Sequence, residues 1–261
     1  MLRKPAAPWP VSRRLAAVGE VAAMAASARR LLRAVRAERL SQLTPITASE
    51  PLHRPRFDVP VLLVHGYLGT PACWTHVVPQ LHGAGFVNVF SLGYNALAST
   101  IPVLAADVVG AAEAARGQAR ADGVHLVGHS LGGLVIRYAV QQLGLSSTAR
   151  SVVTIATPHQ GSPFASVAPG VVGAQMRPGS SLLHHLPPLS STPQVSWLVV
   201  DSAQDIVVSK PRPRVDGGAR YRVVNARGHQ AILRSDELVE TLVGHLVEVE
   251  QARAGTVVDA A

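Results

Sequence analysis

Short, almost wholly aliphatic runs recur along the chain from residue 59 onward, separated by longer stretches with helical spacing. Val59–Val64, Phe86–Leu92, Val124–Val127, Ser151–Ala156, Val195–Val200 and Tyr221–Val224 read as strands. Residues 73–84, 99–121, 131–143 and about 235–250 read as helices between and after them. Strands that alternate with helices pair in parallel, because the crossing helix returns the chain to the same end of the sheet. In Val61–Val64 and Val152–Ile155 the apolar residues are nearly continuous and do not alternate with polar ones. Such strands are buried on both sides, so the expected fold class is α/β, a mostly parallel central sheet with helices on both faces. No internal repeat is visible.

The chain of 261 residues is 48% hydrophobic and 15% charged, which is enough apolar material for a substantial core and excludes a disordered chain. Cys73 is its single cysteine, so neither an internal disulfide framework nor a Cys-rich zinc site can form. No apolar run reaches the roughly 18 residues that span a bilayer. The net charge of +8 is uneven. Residues 1–40 hold nine basic residues against Glu20 and Glu38, whereas residues 41–261 hold fifteen basic and fourteen acidic ones. A nearly neutral body lacks the basic face that nucleic acid requires. The sequence therefore divides into a basic, helical N-terminal extension over 1–45 and a body over 46–261. The extension reads as an interfacial helix drawn to anionic lipid, as an export signal, or as a helix packed on the body. Its location is accordingly cytoplasmic or membrane-peripheral, with secretion as the alternative.

At the end of the third strand stands Gly128-His129-Ser130-Leu131-Gly132, with a helix opening at Leu131. A strand that turns abruptly into a helix forces its central residue into a strained backbone and pushes that side chain outward. Glycines on either side prevent a collision across the turn. Ser130 then stands at the positive end of a helix, where free N–H groups can receive a developing oxyanion. A serine hydroxyl also needs a base, and the base an orienting acid. Only His229 and His245 follow the candidate acids. His245 falls inside the last helix, whereas His229 follows a strand across a short polar stretch, so His229 is read as the base. Asp201 ends one strand and Asp205 lies four residues on, and position alone does not separate them as the acid. Asp216, beside Gly217-Gly218, reads as a turn residue. The second oxyanion donor is expected from His65-Gly66-Tyr67-Leu68-Gly69, with the N–H of Tyr67 joining that of Leu131. His65 is expected to hold this loop by hydrogen bonding.

These segments together resemble the α/β-hydrolases of the bacterial lipase and esterase group over about residues 60–249. The matching pieces are Val64–Gly69, Gly128–Gly133, Ala156-Thr157-Pro158-His159-Gln160-Gly161-Ser162, Asp205-Ile206-Val207-Val208 and Gly228-His229. In the small bacterial lipases that these ends resemble, the acid precedes an Ile-Val or Val-Val pair, and that similarity favours Asp205. The resemblance implies a serine hydrolase cleaving carboxylic esters, lipid esters above all, through an acyl-enzyme and without a cofactor. A structural calcium of some larger relatives is not expected, because Gln230-Ala231-Ile232 follow His229 where its ligand would stand. An acyltransferase or thioesterase would use the same three residues, and a non-catalytic binding module of this fold is a further alternative.

Residues 157–193 interrupt the strand and helix rhythm with seven prolines and many Ser and Gly. A segment of that kind is expected to be structureless and to cover the site. Leu182, Leu183 and Leu186 within it, with Leu68 and His129 beside the loops, are the expected substrate contacts. His184-His185 has no acidic neighbour and does not read as a metal pair. Cys73 and Trp74 are expected to serve packing.

Overall fold

The computed structural model describes residues 41–47, 57–208 and 218–258. The basic extension over residues 1–40 and the turn expected at Asp216 lie outside them. The described chain forms one sheet of seven strands: β1 (Gln42–Ile46), β2 (Val61–Val64), β3 (Val89–Gly93), β4 (Val124–His129), β5 (Ala149–Ile155), β6 (Ser196–Ser202) and β7 (Ala219–Val224). They lie in the order β1-β3-β2-β4-β5-β6-β7, with only β1 antiparallel to its neighbour β3. The domain limit drawn at residue 45 falls inside β1, which shields the outer edge of β3.

Strand residues alternate between two cores. Leu62, Val64, Leu126, Val152, Trp197 and Val199 face the helices α2 (Ile101–Ala119) and α3 (Leu131–Gln142). Val61, Leu63, Val127, Val153, Ile155, Leu198 and Val200 face α1 (Val77–Gly83) and α6 (Asp236–Val258) on the other side. The inner strands β2 to β6 thus bury both faces, which is why their apolar runs do not alternate in the sequence, whereas the edge strands β1 and β7 are largely exposed. No helix among the described residues is long and apolar enough to cross a membrane.

Two local expectations need correction. The predicted helix over 73–84 is split into a 3-10 turn at Pro71–Trp74 and α1 starting at Val77. Pro79 offers no N–H and fits only the first turn of a helix, so α1 has to begin close before it. The segment 157–193 is not structureless. It carries 3-10 turns at Pro163–Ser166 and Leu189–Ser191 and the short helices α4 (Gly170–Gln175) and α5 (Ser181–His185). Its serines explain the difference: the hydroxyls of Ser162 and Ser180 accept the N–H groups of Phe164 and Leu183 and cap these turns.

The chain leaves β2 toward β3 on one side and returns to place β4 on the other. Successive connections therefore diverge at β2 and β4 and open a crevice beyond their C-terminal ends.

Candidate active site

Ser130 sits in that crevice between β4 and α3, with φ 53° and ψ −119°. Few side chains tolerate this backbone, and the surrounding contacts hold it in place: its N–H donates to the carbonyl of Ile155 at 2.8 Å. The glycines around it are required by space. A Cβ on Gly128 would lie 2.6 Å from the nitrogen of Gly133, and one on Gly132 would lie 2.2 Å from the carbonyl oxygen of Val64. On Gly133 it would reach to 2.0 Å from Oγ1 of Thr157. The strand, turn and helix can close this tightly only without side chains at the three positions.

His229 Nε2 lies 2.8 Å from Ser130 Oγ, and its Nδ1 lies 2.8 Å from Asp205 Oδ2. The other carboxylate oxygen, Oδ1, accepts the N–H groups of Val207 at 2.7 Å and Val208 at 3.1 Å. All three side chains are buried. Burial pushes the Asp205 carboxyl upward, but His229 and the two N–H donors outweigh it and hold the group below the ordinary carboxylate range. An ionised Asp205 only accepts, so the proton of the contact sits on His229 Nδ1, and in a neutral ring Nε2 is left to accept from the serine hydroxyl. Asp201, the other candidate, accepts instead from the hydroxyl of Tyr221 at 2.8 Å.

Two further histidines support the arrangement. His129 Nε2 donates to the carbonyl of His229 at 2.9 Å, and the two rings lie 4.9 Å apart. Burial depresses His129 to about 3, so it remains a neutral donor that holds the His229 backbone. His65 donates from Nδ1 to the carbonyl of Gly66 at 2.8 Å and stacks on Tyr94 at 4.1 Å. The hydroxyl of Tyr94 donates to the His65 carbonyl at 2.5 Å. Burial depresses His65 to about 4, and the ring serves to hold the loop after β2. A Cβ on Gly66 would stand 3.0 Å from that of Ser130, so this loop lies directly against the serine. Leu131 opens α3, and its N–H has no partner within the helix.

Residues 60–185 match the family model described as palmitoyl protein thioesterase. Among solved structures, the chain is similar to the mature lipase BlEst2 of Bacillus licheniformis, with TM-score 0.63 and 13% identity over 77% of this chain and 98% of that one. It is similar to Aspergillus fumigatus lipase B, with TM-score 0.60 and 14% identity over 71% of this chain and 51% of that one. The monoacylglycerol lipase of Paleococcus ferrophilus is similar as well, with TM-score 0.55 and 15% identity over 81% and 98%. No curated protein sequence matches the chain. The chain has the α/β-hydrolase fold.

In this α/β-hydrolase fold the cover segment roofs the serine. A cavity of about 40 Å³ lies over Ser130 and His229, walled by Tyr67 and Val207 and roofed by Phe164, Ala165, Ala168 and Met176. The leucines expected to contact substrate lie elsewhere. Leu182 and Leu186 line a separate groove of about 440 Å³ with Pro102, Tyr138 and Gln175, and Leu183 packs against the core beneath it. Leu68 is buried in the turn after β2 with φ 56°, and His129 lies beneath His229; neither lines the cavity. Ala174 and Gln175 of α4 border that groove together with α5, whereas Phe164, Ala165, Ala168 and Met176 border the cavity over the serine. Phe164, Ala165, Ala168 and Met176 are among the lining residues that the sequence reading missed, and their apolar character within the proline-rich segment was the signal available.

His245 is buried on α6 against the carbonyl of Ser196, at 3.3 Å from Nε2. Trp74 is buried and Cys73 half-buried, both against the core that α1 shares. Among the described residues no group of three His, Cys, Asp or Glu is placed to hold a metal ion.

Proposed function

We propose that the protein is a serine hydrolase of carboxylic esters, acting on acyl esters of lipid character. The observation that carries this reading is the pair of 2.8 Å contacts linking Ser130, His229 and Asp205 in one buried line. Ser130 Oγ attacks the ester carbonyl while His229 Nε2 takes its proton. Asp205 stabilises the imidazolium, and the N–H groups of Tyr67 and Leu131 receive the oxyanion. The alcohol leaves with the proton from His229, and water activated by the same imidazole releases the acid from the acyl-enzyme.

The apolar roof supports an acyl substrate. About 40 Å³ beneath the cover admits only the reacting end of a long acyl ester, so the rest of the chain has to lie outside. The family-model match over residues 60–185 favours one second reading, the same chemistry on an acyl thioester. The basic charge of residues 1–40 supports a peripheral contact with anionic lipid, which deleting them should weaken while turnover of a soluble short ester persists.

The test is turnover of nitrophenyl esters from acetate to palmitate, and of an acyl thioester of matched length, by wild type, Ser130→Ala and His229→Ala. Oxoester turnover that both variants abolish supports the reading. Faster cleavage of the thioester would select the second, and turnover surviving in either variant would remove the mechanism.

A further inference from the structure

The cover is latched at two points, and both lie on loops that the proposed mechanism uses. At the first, the buried Ser162 hydroxyl donates to the carbonyl of Val207 at 2.5 Å and accepts the N–H of Phe164 at 3.2 Å. Its own N–H donates to the carbonyl of Met176 at 2.9 Å. Val207 in turn gives its N–H to Asp205 Oδ1. One residue thus has its carbonyl held by the cover and its N–H holding the acid. At the second latch, the Tyr67 hydroxyl donates to the carbonyl of Pro169 at 2.5 Å, while the backbone of the same residue carries the proposed oxyanion donor. Phe164, Ala165, Ala168 and Met176, which roof Ser130, lie between or beside these two latches.

We propose that the seated cover completes the alignment of the acid and oxyanion loops, with the side chains of Ser162 and Tyr67 as positioning residues. This rests on the hydrolase reading above. The roof cannot lift without releasing Val207 or Tyr67, so a displaced cover leaves Asp205 and the oxyanion donor less well placed. Neither hydroxyl reacts: that of Ser162 is committed to Val207 and that of Tyr67 to Pro169. Their effect falls on the rate of the bound substrate, whereas a cover that only gripped substrate would act on KM.

Steady-state hydrolysis of nitrophenyl acetate by the full chain tests this, with Ser162→Ala, Ser162→Thr, Tyr67→Phe and Ser130→Ala compared. Tyr67→Phe leaves the backbone N–H in place and removes only the latch. The expected result is a fall in kcat of about five- to tenfold for Ser162→Ala and for Tyr67→Phe, with KM within about twofold of wild type. Ser162→Thr, which restores a hydroxyl, recovers most of the loss. Unchanged kcat, or a raised KM alone, overturns the proposal. Should Ser162→Ala fail to fold, Tyr67→Phe decides by the same criterion. Ser130→Ala separates the two levels: if it retains turnover the hydrolase reading falls with the proposal, and if it is inactive while both latch variants keep wild-type kcat, only the proposal falls.

Discussion

At the residue scale, the backbone of Ser130 is stored strain that neighbouring glycines make room for. Gly132 is the least replaceable, because an added Cβ would meet two backbone oxygens, of Val64 at 2.2 Å and of His65 at 2.5 Å, rather than a movable side chain. Gly132→Ala should cost about 1–3 kcal/mol or more in stability, read as a lowered midpoint of urea unfolding. Asp205 and Asp201 make the complementary comparison. Asp205→Asn removes the acceptor that fixes the His229 tautomer and should lower kcat by about 10⁴. Asp201→Asn alters the contact with Tyr221 and should leave kcat near wild type, and steady-state kinetics of the two variants checks both. The serine was legible in the sequence because its strain is produced by five adjacent residues. His229 could be found by elimination. Between Asp201 and Asp205 spacing said nothing, because the difference depends on which way a side chain leaves the end of β6, and only resemblance to a known family pointed to the second.

At the element scale, six of the seven strands and the helices α2, α3 and α6 were readable from periodicity, whereas the edge strand β1, the split before α1 and the cover were not. The cover's helices are five and six residues long, too short for an apolar stripe, and they form through serine caps and tertiary contacts. Arg137 on α3 supplies part of that context. Its Nη2 donates to the carbonyl of Pro187 at 2.7 Å, and Nη1 reaches the carbonyl and ring of His159 at 3.3 and 3.4 Å. Gln141, one turn on, donates to the carbonyl of Pro188 at 2.8 Å. Position in an element can also reverse the effect of one substitution. Gly110 lies exposed within α2, with nothing within 4 Å of an added Cβ. Gly110→Ala should therefore raise stability by about 0.5–1 kcal/mol in the same urea assay that shows the loss at Gly132.

At the scale of the whole molecule, the parallel sheet gathers loops from distant parts of the sequence at one edge, and the burial of histidines there and on α6 has a cost in acid. Desolvation depresses His65 and His245 to about 4 and His129 and His159 to about 3, against an ordinary 6.5. The unfolded chain takes up protons at these residues below about pH 6.5, whereas the native state does so only near 3 to 4. Their depressed native values give stability that is full above pH 6.5 and is lost as the pH falls toward 4. The urea midpoint should accordingly be lower at about pH 5 than at about pH 7.5. His245→Phe, on α6 away from the serine, should narrow that difference.

The most direct measurement is reaction of the full chain with a fluorophosphonate, followed by mass mapping of the modified peptide. A serine made nucleophilic by His229 and set beside oxyanion donors should take the label at Ser130, with labelling greatly slowed in His229→Ala. A folded protein that remains unlabelled, or carries the label on a different residue, would contradict the account.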